Sequence, residues 1–298
     1  QSQLELDPEA SYFYYCANNT IYGTEWQYVP ETGGVPIVCD MSSDILSRPV
    51  DVSKYGVIFA GAQKNMAPAG LTVVIIKEEL AGHELPFTPL MMNYKTMIDK
   101  DSMYNTPPCW CIYMLGLVLD WLEEQGGIPG MEAIKHKKAQ MLYDVIDSSR
   151  LFTCAVEPGS RSDMNVVFRT GSDELDAKFV QESVAAGFTN LKGHRSVGGM
   201  RASIYNAMPT EGVEKLCDFI KAFAQGELSP LPAHGTSVCQ RQTLMPGGFT
   251  PPAQIKSLGV PQMGDLRAGR HAASIYNAMP TEGVEKLCDF IRAFDKNN

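Results

Sequence analysis

The chain has 298 residues and a formal net charge of −9, and 44% of its residues are hydrophobic while 20% are charged. This length allows one large hydrophobic core or two cores of medium size. The acidic balance argues against nucleic-acid binding, because phosphate backbones attract clustered lysine and arginine. No run approaches the ~18–20 apolar residues that cross a bilayer. The polar, acidic residues 1–9 do not have the pattern of a signal peptide.

Eight cysteines are scattered along the chain without a CxxC pair, and several lie inside apolar runs such as residues 35–39. This usage is typical of a reduced compartment, so we expect a cytoplasmic protein. The five histidines have no metal-ligand spacing, and we predict no metal site.

The first third of the chain has the pattern of short, buried strands. Each is a brief apolar run bounded by glycine, proline or aspartate, which indicates a mostly parallel sheet. The predicted strands are residues 12–16, 35–39, 57–60 and 72–76.

Helical periodicity follows over residues 110–124 and 132–148, and the glycines and proline of residues 126–130 predict a break between these helices. Beyond them the units become shorter. The pattern predicts strands at 166–169 and 200–204 and helices at 173–186 and 210–223. We therefore expect an α/β chain with a larger domain over residues 1–130 and a small α+β domain over residues 131–223.

The C-terminal part differs in texture. Residues 224–273 are rich in proline, glycine, serine and glutamine without periodicity, which predicts a disordered linker. Residues 274–294 then repeat residues 203–223 with one change, Arg292 in place of Lys221. Two copies are too few for a solenoid, so we interpret residues 274–298 as a duplicated terminal helix segment. Ala272 stands where Arg201 stands in the first copy, and we expect no second site there.

Two residues follow predicted strands and carry candidate chemistry. Lys64 comes after the strand at 57–60, at the edge where ligand crevices open in α/β proteins, and a partly desolvated lysine there can attack a carbonyl. Asp40 follows the strand at 35–39, where a carboxylate can pair with a protonated pyridine nitrogen. The alternatives are a solvent-facing lysine and a turn or helix-capping aspartate.

Several segments together are more specific than either residue. Their sequences closely resemble segments of the phosphoserine aminotransferase family and occur in the same order. The resemblance extends from about residue 8 to residue 223. The segments are residues 14–23 (YYCANNTIYG), 39–43 (CDMSS), 61–65 (GAQKN), 104–108 (YNTPP) and 192–203 (KGHRSVGGMRAS). The resemblance implies the fold-type-I architecture of pyridoxal 5'-phosphate (PLP) enzymes.

The resemblance also implies roles for residues in PLP binding. Lys64 would form the Schiff base and move the proton, and Asp40 would pair with the pyridine nitrogen. Thr20 would lie near the ring hydroxyl. Cofactor phosphate contacts are implied for Gln63 and, from the neighbouring subunit of a homodimer, for Asn105 and Thr106. Without the resemblance, the segment around Asn105 and Thr106 would indicate a helix start, and Thr20 a turn.

The implied reaction transfers an amino group between L-glutamate and 3-phosphohydroxypyruvate in serine biosynthesis. His194 and Arg195 match positions that hold the substrate phosphate, and Arg201 matches the arginine that binds the α-carboxylate. The planar fork of arginine suits both anions. Without the resemblance, His194 and Arg195 would be interpreted as a surface turn.

The family's large domain begins before the point matched by residue 1. The preceding stretch carries the glycine-rich turn that binds the cofactor phosphate and the aromatic ring that stacks on the cofactor. We therefore expect an incomplete sheet with an exposed edge, and poor PLP binding and slow turnover by this chain alone. A smaller departure is Met66, which follows Asn65 where the family usually has glycine within a few residues.

Three hypotheses remain at this point. The chain is an active aminotransferase of this family, or a catalytically impaired variant that only binds partners or dimerises. A different fold-type-I transaminase is disfavoured, because the segment 192–203 offers clamps for both a phosphate and a carboxylate. Absorbance after addition of PLP separates the first two hypotheses.

Overall fold

The computed structural model describes residues 4–226. Most of the predicted linker, and the whole predicted copy at residues 274–298, lie outside the described residues. Within the described range, no helix is both long and apolar enough to pass through a membrane.

Eight strands and five α-helices are formed in this part of the chain. The strands are β1 (Phe13–Cys16), β2 (Asn18–Asn19), β3 (Thr24–Glu25), β4 (Ile37–Asp40), β5 (Val57–Gly61), β6 (Thr72–Ile76), β7 (Asn165–Phe168) and β8 (Met200–Ser203). The α-helices are α1 (Tyr94–Ile98), α2 (Cys109–Glu124), α3 (Gly127–Ser148), α4 (Asp173–Ala185) and α5 (Thr210–Gln225). Single 3-10 turns occur at Val52–Lys54, Glu78–Leu80, Leu90–Met92 and Pro158–Ser160.

The main sheet has four strands in the order β1-β4-β5-β6. β1, β4 and β5 are parallel, and β6 pairs antiparallel with β5. Side chains alternate along β4, where Ile37 and Cys39 are buried and Val38 and Asp40 are half-buried. The mostly parallel α/β sheet predicted from the sequence is therefore confirmed.

The break between α2 and α3 is shorter than the sequence analysis predicted. Only Gly126 and Gly127 adopt positive φ, of 90° and 67°, and α3 begins at Gly127. Pro129 and Gly130 belong to the first turn of α3. Proline is tolerated there because the backbone N–H groups of a first turn have no intrahelical partner.

Two hydrophobic clusters form the interior. The first cluster is built by the main sheet and the loops around it, and it includes Tyr15, Ile37, Cys39, Ile58 and Met66. The second cluster is built by α3, α4, α5, β7 and β8, and it includes Leu142, Phe152, Phe179, Val213 and Ile220.

A polar seam joins the elements that carry the two clusters. Thr24 forms a β-bridge with Arg161, and Glu25, on β3, accepts from the backbone N–H of Asp163 at 2.9 Å. Lys135 of α3 lies 3.4 Å from the Glu25 carboxylate. The candidate site lies along this seam.

Candidate active site

Lys64 lies on a turn that follows β5. The backbone N–H groups of Met66 and Ala67 both bond to the carbonyl of Ala62, at 3.0 and 2.9 Å, which closes the turn around the lysine. Lys64 is half-buried, and its Nζ donates to Thr20 Oγ1 at 3.0 Å. The ring of Tyr205 lies beside the amine, with its centroid 5.9 Å from Nζ. The amine is thus held in place by neighbouring residues and does not project freely into solvent.

Asp40 lies at the same edge of the sheet as this turn. It is the last residue of β4, and its neighbour β5 is parallel, so the carboxyl ends of both strands face the same side. Asp40 Oδ1 accepts from the backbone N–H of Ser42 at 2.8 Å, and Ser42 Oγ accepts from the N–H of Gly61 at 3.0 Å. These bonds connect the two strand ends that precede the candidate catalytic residues.

The Cys16 thiol, at the end of β1, interacts electrostatically with both Asp40 and Lys64. Burial raises its pKa, the carboxylates of Asp40 and Asp44 raise it further, and the ammonium group of Lys64 opposes them. A single side chain is therefore within electrostatic reach of both Asp40 and Lys64.

Arg201 reaches the same place from β8. Its Nη1 donates to the backbone carbonyl of Thr20 at 3.5 Å, so Thr20 contacts both Arg201 and Lys64. Arg201 Nε is buried and has no hydrogen-bond partner. An unpaired guanidinium N–H inside a protein is costly, and a bound carboxylate would satisfy it.

Within the described part, no contact joins the Lys64 amine to the side chains of Gln63, Asn105 or Thr106. Gln63 is exposed, and its amide lies against Gly61, where an added Cβ would come within 2.7 Å of Oε1. Asn105 and Thr106 are exposed between α1 and α2, and the amide of Asn105 donates to the carbonyl of Thr106 at 3.2 Å.

His194 and Arg195 lie on the loop before β8. His194 Nδ1 is 2.7 Å from Ser196 Oγ, and Arg195 is exposed. Both residues line a cavity of about 680 Å³ whose wall includes Asp173 and Asp176 of α4. No contact of the described residues joins this pair to Lys64, and the carboxylates make the cavity mixed in charge.

A cluster of charged side chains lies along the seam and consists of the buried Glu25, Asp44 and Lys135 and the half-buried Arg48 and Asp163. Glu25 lies 3.6 Å from Arg48 and 3.4 Å from Lys135, while Asp44 lies 3.8 Å from Arg48. Burial raises the pKa of Asp44 to about 7, the Glu25 carboxylate adds to the shift, and Arg48 and Lys135 oppose it.

Sequence reasoning missed three residues that shape the site. Tyr205 lies beside the Lys64 amine, and Asn18 and Asn165 are buried side chains that hydrogen-bond to each other at 2.8 Å across the seam. Asn18 lies inside the segment 14–23, and Tyr205 follows the segment 192–203 by two residues. No periodicity or spacing marks their contacts, because Asn18 meets Asn165 and Tyr205 meets Lys64 across more than a hundred residues of sequence.

Comparison with known proteins adds the family. Residues 1–216 match the model of the family described as aminotransferase class-V. A phosphoserine aminotransferase of Laribacter hongkongensis is 55% identical over 226 residues, which cover 76% of this chain and 63% of the relative. One from Desulfosudis oleivorans is 53% identical over 74% of this chain and 62% of its own length. This chain therefore spans about 63% of the length of such relatives.

Solved structures agree with these relatives. A phosphoserine aminotransferase from Bacillus circulans subsp. alkalophilus has a TM-score of 0.74 at 46% identity, covering 76% of this chain and 63% of that one. A PLP-bound phosphoserine aminotransferase from Trichomonas vaginalis has a TM-score of 0.71 at 41% identity, covering 74% and 63%. The family match extends over well more than half of the chain and includes the turn of Lys64 and the strand of Arg201, and the chain therefore belongs to the class-V aminotransferase family.

Proposed function

We propose that the chain acts as a PLP-dependent phosphoserine aminotransferase. It would transfer the amino group of L-glutamate to 3-phosphohydroxypyruvate, giving O-phospho-L-serine and 2-oxoglutarate. The observation that carries the proposal is the convergence on Thr20, whose hydroxyl holds the Lys64 amine at 3.0 Å and whose carbonyl meets Arg201 at 3.5 Å. A lysine nucleophile and a carboxylate-binding arginine are what an amino-acid transaminase needs side by side.

The residues present fit the cofactor. When bound, PLP supplies an electron sink that stabilises negative charge on the substrate carbon. Lys64 would hold it covalently, and Asp40 would pair with its ring nitrogen from the neighbouring strand end. Thr20 would lie beside the ring hydroxyl, and the exposed Gln63 would contact the phosphate. The shared edge of β4 and β5 supports the opposed placement of Lys64 and Asp40.

Lys64 is also the group that would carry the proton. Its Nζ accepts a proton at one position of the substrate and returns it at another, which requires an amine that is held but not locked. The single contact with Thr20 Oγ1 and the nearby Tyr205 ring supply such a hold. Replacing Thr20 would leave the amine with fewer orienting contacts.

Substrate recognition would be divided between two parts of the 192–203 segment. The buried, unpartnered Nε of Arg201 supports its role as the α-carboxylate clamp. His194 and Arg195 would bind the substrate phosphate. Their partly solvent-exposed loop supports an anion role, whereas Asp173 and Asp176 on the same cavity oppose one. A specific test of this pair is therefore informative. Replacing either residue should weaken use of the phosphorylated keto acid more than that of its unphosphorylated analogue.

A homodimer would complete the site. The segment between β6 and the end of α2 exposes a dense group of large apolar side chains, and Phe87 is 80% exposed and Met92 72% exposed. Asn105 and Thr106 lie within this segment. Exposed apolar surface on this scale marks an association surface. Dimerisation through it would carry both polar residues to the partner's cofactor.

The domain organisation proposed from the sequence keeps residues 1–130 as a PLP-binding domain and residues 131–223 as a small domain. The separation of the two hydrophobic clusters supports this division. A cytoplasmic location is proposed with it. The free thiols of the described cysteines support a reducing compartment, and these cysteines are Cys16, Cys39, Cys109, Cys111, Cys154 and Cys217.

The first experiment tests attachment of PLP. The purified chain should give an absorbance band near about 410–430 nm after addition of PLP. Borohydride should then remove the band and leave the cofactor fixed to Lys64 in a peptide map. Lys64→Ala should abolish the band. Lys54→Ala, at an exposed lysine of a 3-10 turn, is the matched control and should keep it.

The second experiment measures transamination. Production of 2-oxoglutarate from glutamate should depend on 3-phosphohydroxypyruvate and disappear in Lys64→Ala. The chain of residues 1–298 should be compared with one that also carries the family's preceding segment, and we expect the longer chain to be much faster. If both chains give the PLP absorbance band and neither produces 2-oxoglutarate, the result would favour the catalytically impaired variant. A band that survives Lys64→Ala would overturn the proposal.

A further inference from the structure

Two buried amides connect the segments that carry Thr20, Asp40 and Arg201. Asn18 is 1% exposed and Asn165 is fully buried. Together with the hydroxyl groups around them they form a cluster that we name the amide hub. Its members are Asn18, Ser43, Ser162, Asn165, Ser203 and Tyr205.

Both side-chain amides use both of their N–H donors, and each amide oxygen accepts one side-chain hydrogen bond. Asn18 Nδ2 donates to Ser43 Oγ and to Asn165 Oδ1, each at 2.8 Å, while its Oδ1 accepts from the hydroxyl of Ser162. Asn165 Nδ2 donates to Ser203 Oγ at 3.0 Å and to the Tyr205 hydroxyl at 3.3 Å. A buried network in which every amide N–H is paired fixes the relative positions of its members, because displacement leaves a donor unpaired.

The hub reaches four candidate residues, Thr20, Asp40, Arg201 and Lys64, through short backbone segments or a side chain. Asn18 precedes Thr20 by two residues, and Ser43 follows Asp40 by three. On the other side of the seam, Ser203 follows Arg201 by two residues.

The remaining connection is through a ring. The Tyr205 hydroxyl belongs to the hub, and the Tyr205 ring lies beside the Lys64 amine. Four members of the hub, Asn18, Ser43, Ser203 and Tyr205, therefore contact or lie within three residues of a group with a proposed role in the reaction.

We propose that Asn18 and Asn165 are positioning residues that set the spacing between the lysine amine and the carboxylate-binding guanidinium of Arg201. The inference rests on the proposed function, because it assigns the hub to the substrate site of a transaminase. Arg201 bridges to Thr20 by one bond of 3.5 Å, which is too long to fix its place alone. The hub supplies the missing constraint from behind.

The hub is not what holds the two halves of the seam together. Lys135 pairs with Glu25, and Asn206 donates to the carbonyl of Leu46 at 2.9 Å. These contacts remain when the hub is altered. Loss of the hub should therefore shift Arg201 by a fraction of an ångström or more without separating the halves, and displacement by about 1 Å can cost about a hundredfold in function.

The experiment measures binding of 2-oxoglutarate by calorimetry, with and without PLP. Asn165→Leu removes the central amide at similar volume, and we expect the Kd to rise about tenfold. Ser203→Ala should raise it less. Ser183→Ala is matched to Ser203→Ala. It removes one buried hydroxyl bond, to the carbonyl of Val180 at 2.8 Å in α4, and should leave the Kd unchanged.

A double-variant cycle separates positioning from general loosening. If Asn165 acts through Arg201, Asn165→Leu should change the Kd little in an Arg201→Ala background. Equal effects in both backgrounds would overturn the inference, as would a parent chain that binds no 2-oxoglutarate. If Asn165→Leu does not fold, Ser203→Ala/Tyr205→Phe removes both acceptors of its amide and replaces it in the cycle.

The same measurements distinguish failure of the inference from failure of the proposed function. Binding of 2-oxoglutarate that depends on Arg201 and on the hub, without any PLP band, would reject the transaminase proposal and keep the positioning role. A normal PLP band, together with 2-oxoglutarate binding that does not change when the hub is altered, would keep the transaminase proposal and reject the positioning role.

Discussion

The two hydrophobic clusters of the chain are built from different materials. The second cluster is rich in aromatic rings. The ring of Phe179 lies 5.0–5.7 Å from those of Phe152, Phe168, Phe219 and Phe223. The first cluster is smaller and borders polar groups. Its loops carry Ser43 and Asp44 in buried positions, where Ser43 hydrogen-bonds to Asn18 and Asp44 lies 3.8 Å from Arg48.

The two clusters also carry different candidate residues. The candidate residues near Lys64 come from the rim of the first cluster, except Arg201 and Tyr205. That arginine is carried on β8, a strand whose buried residues Met200 and Ala202 belong to the second cluster. The second cluster therefore supports the strand that carries the proposed carboxylate-binding arginine, and the first cluster carries the other proposed catalytic residues.

The largest expected effect is a loss of stability in the second cluster, and it depends on the copy of residues 203–223 at residues 274–294. Val213 is fully buried in α5, and Val284 is its equivalent in the copy, which lies outside the described residues. In a chain ending at Gly226, Val213→Asp should cost about 4–6 kcal/mol, because it buries a charge without a partner. In the full chain the loss should be smaller, because an identical apolar sequence is available to compete for the same groove.

Urea denaturation of four proteins measures this difference. They are the short and full chains, each with and without Val213→Asp. Val284→Asp in the full chain is the control and should be nearly silent. The single change between the copies replaces Lys221, which is exposed and lies 3.6 Å from Asp218, so it does not alter the buried face of α5. Equal destabilisation by Val213→Asp in both chain lengths would exclude competition.

Removing the repeat also bears on the site. We expect that deleting residues 224–298 leaves PLP binding unchanged or improved, because none of the candidate residues lies in that part. A PLP titration of both chain lengths by absorbance measures this. A clear loss of affinity in the shorter chain would assign the repeat a part in the site.

Local sequence patterns were sufficient for most of the fold. The strands at 57–60 and 72–76 and the helices at 173–186 and 210–223 lie within one or two residues of their observed ends. Their apolar periodicity is unbroken, and their ends carry turn residues. The start of α3 was wrong because Pro129 has two meanings in sequence, a helix breaker or a first-turn residue, and only the φ angles at Gly126 and Gly127 decide between them.

The candidate site was less accessible to pattern reasoning. Lys64 and Asp40 follow strands and were identifiable by position, whereas the contact between Thr20 and Arg201 joins residues 181 apart. The hub bond from Asn18 to Asn165 spans 147 residues. Pairings of this separation leave no periodic trace in one sequence, because they depend on how the two halves meet.

A second prediction compares buried and exposed positions on α4. Phe179→Ala should lower the free energy of unfolding by about 3–5 kcal/mol, because it removes a ring that contacts four others and leaves a cavity. Val184→Ala on the same helix is the control. Val184 is 58% exposed, so the change should cost less than about 0.5 kcal/mol. Similar losses for both variants, measured by urea denaturation, would mean that the aromatic cluster is not a close-packed core.

The smallest effect concerns the charged border of the first cluster. Because burial raises the pKa of Asp44 to about 7, the folded protein holds a proton there that the unfolded chain releases near about pH 4. The free energy of unfolding should therefore fall as pH rises from about 4 to about 7. Asp44→Asn cannot ionise, and its stability relative to the parent should grow by about 1–3 kcal/mol between about pH 4 and about pH 8.

Urea denaturation of parent and variant at several pH values measures this difference. Asp51 supplies a control of opposite sign, because hydrogen bonds from Ser53 lower its pKa and it is fully exposed. Asp51→Asn should remove a slight gain of stability with rising pH. If Asp44→Asn instead loses stability equally at all pH values, then the pairing of Asp44 with Arg48 outweighs its burial. The border of the first cluster would then be held by ion pairs, and its polar character would be structural in origin.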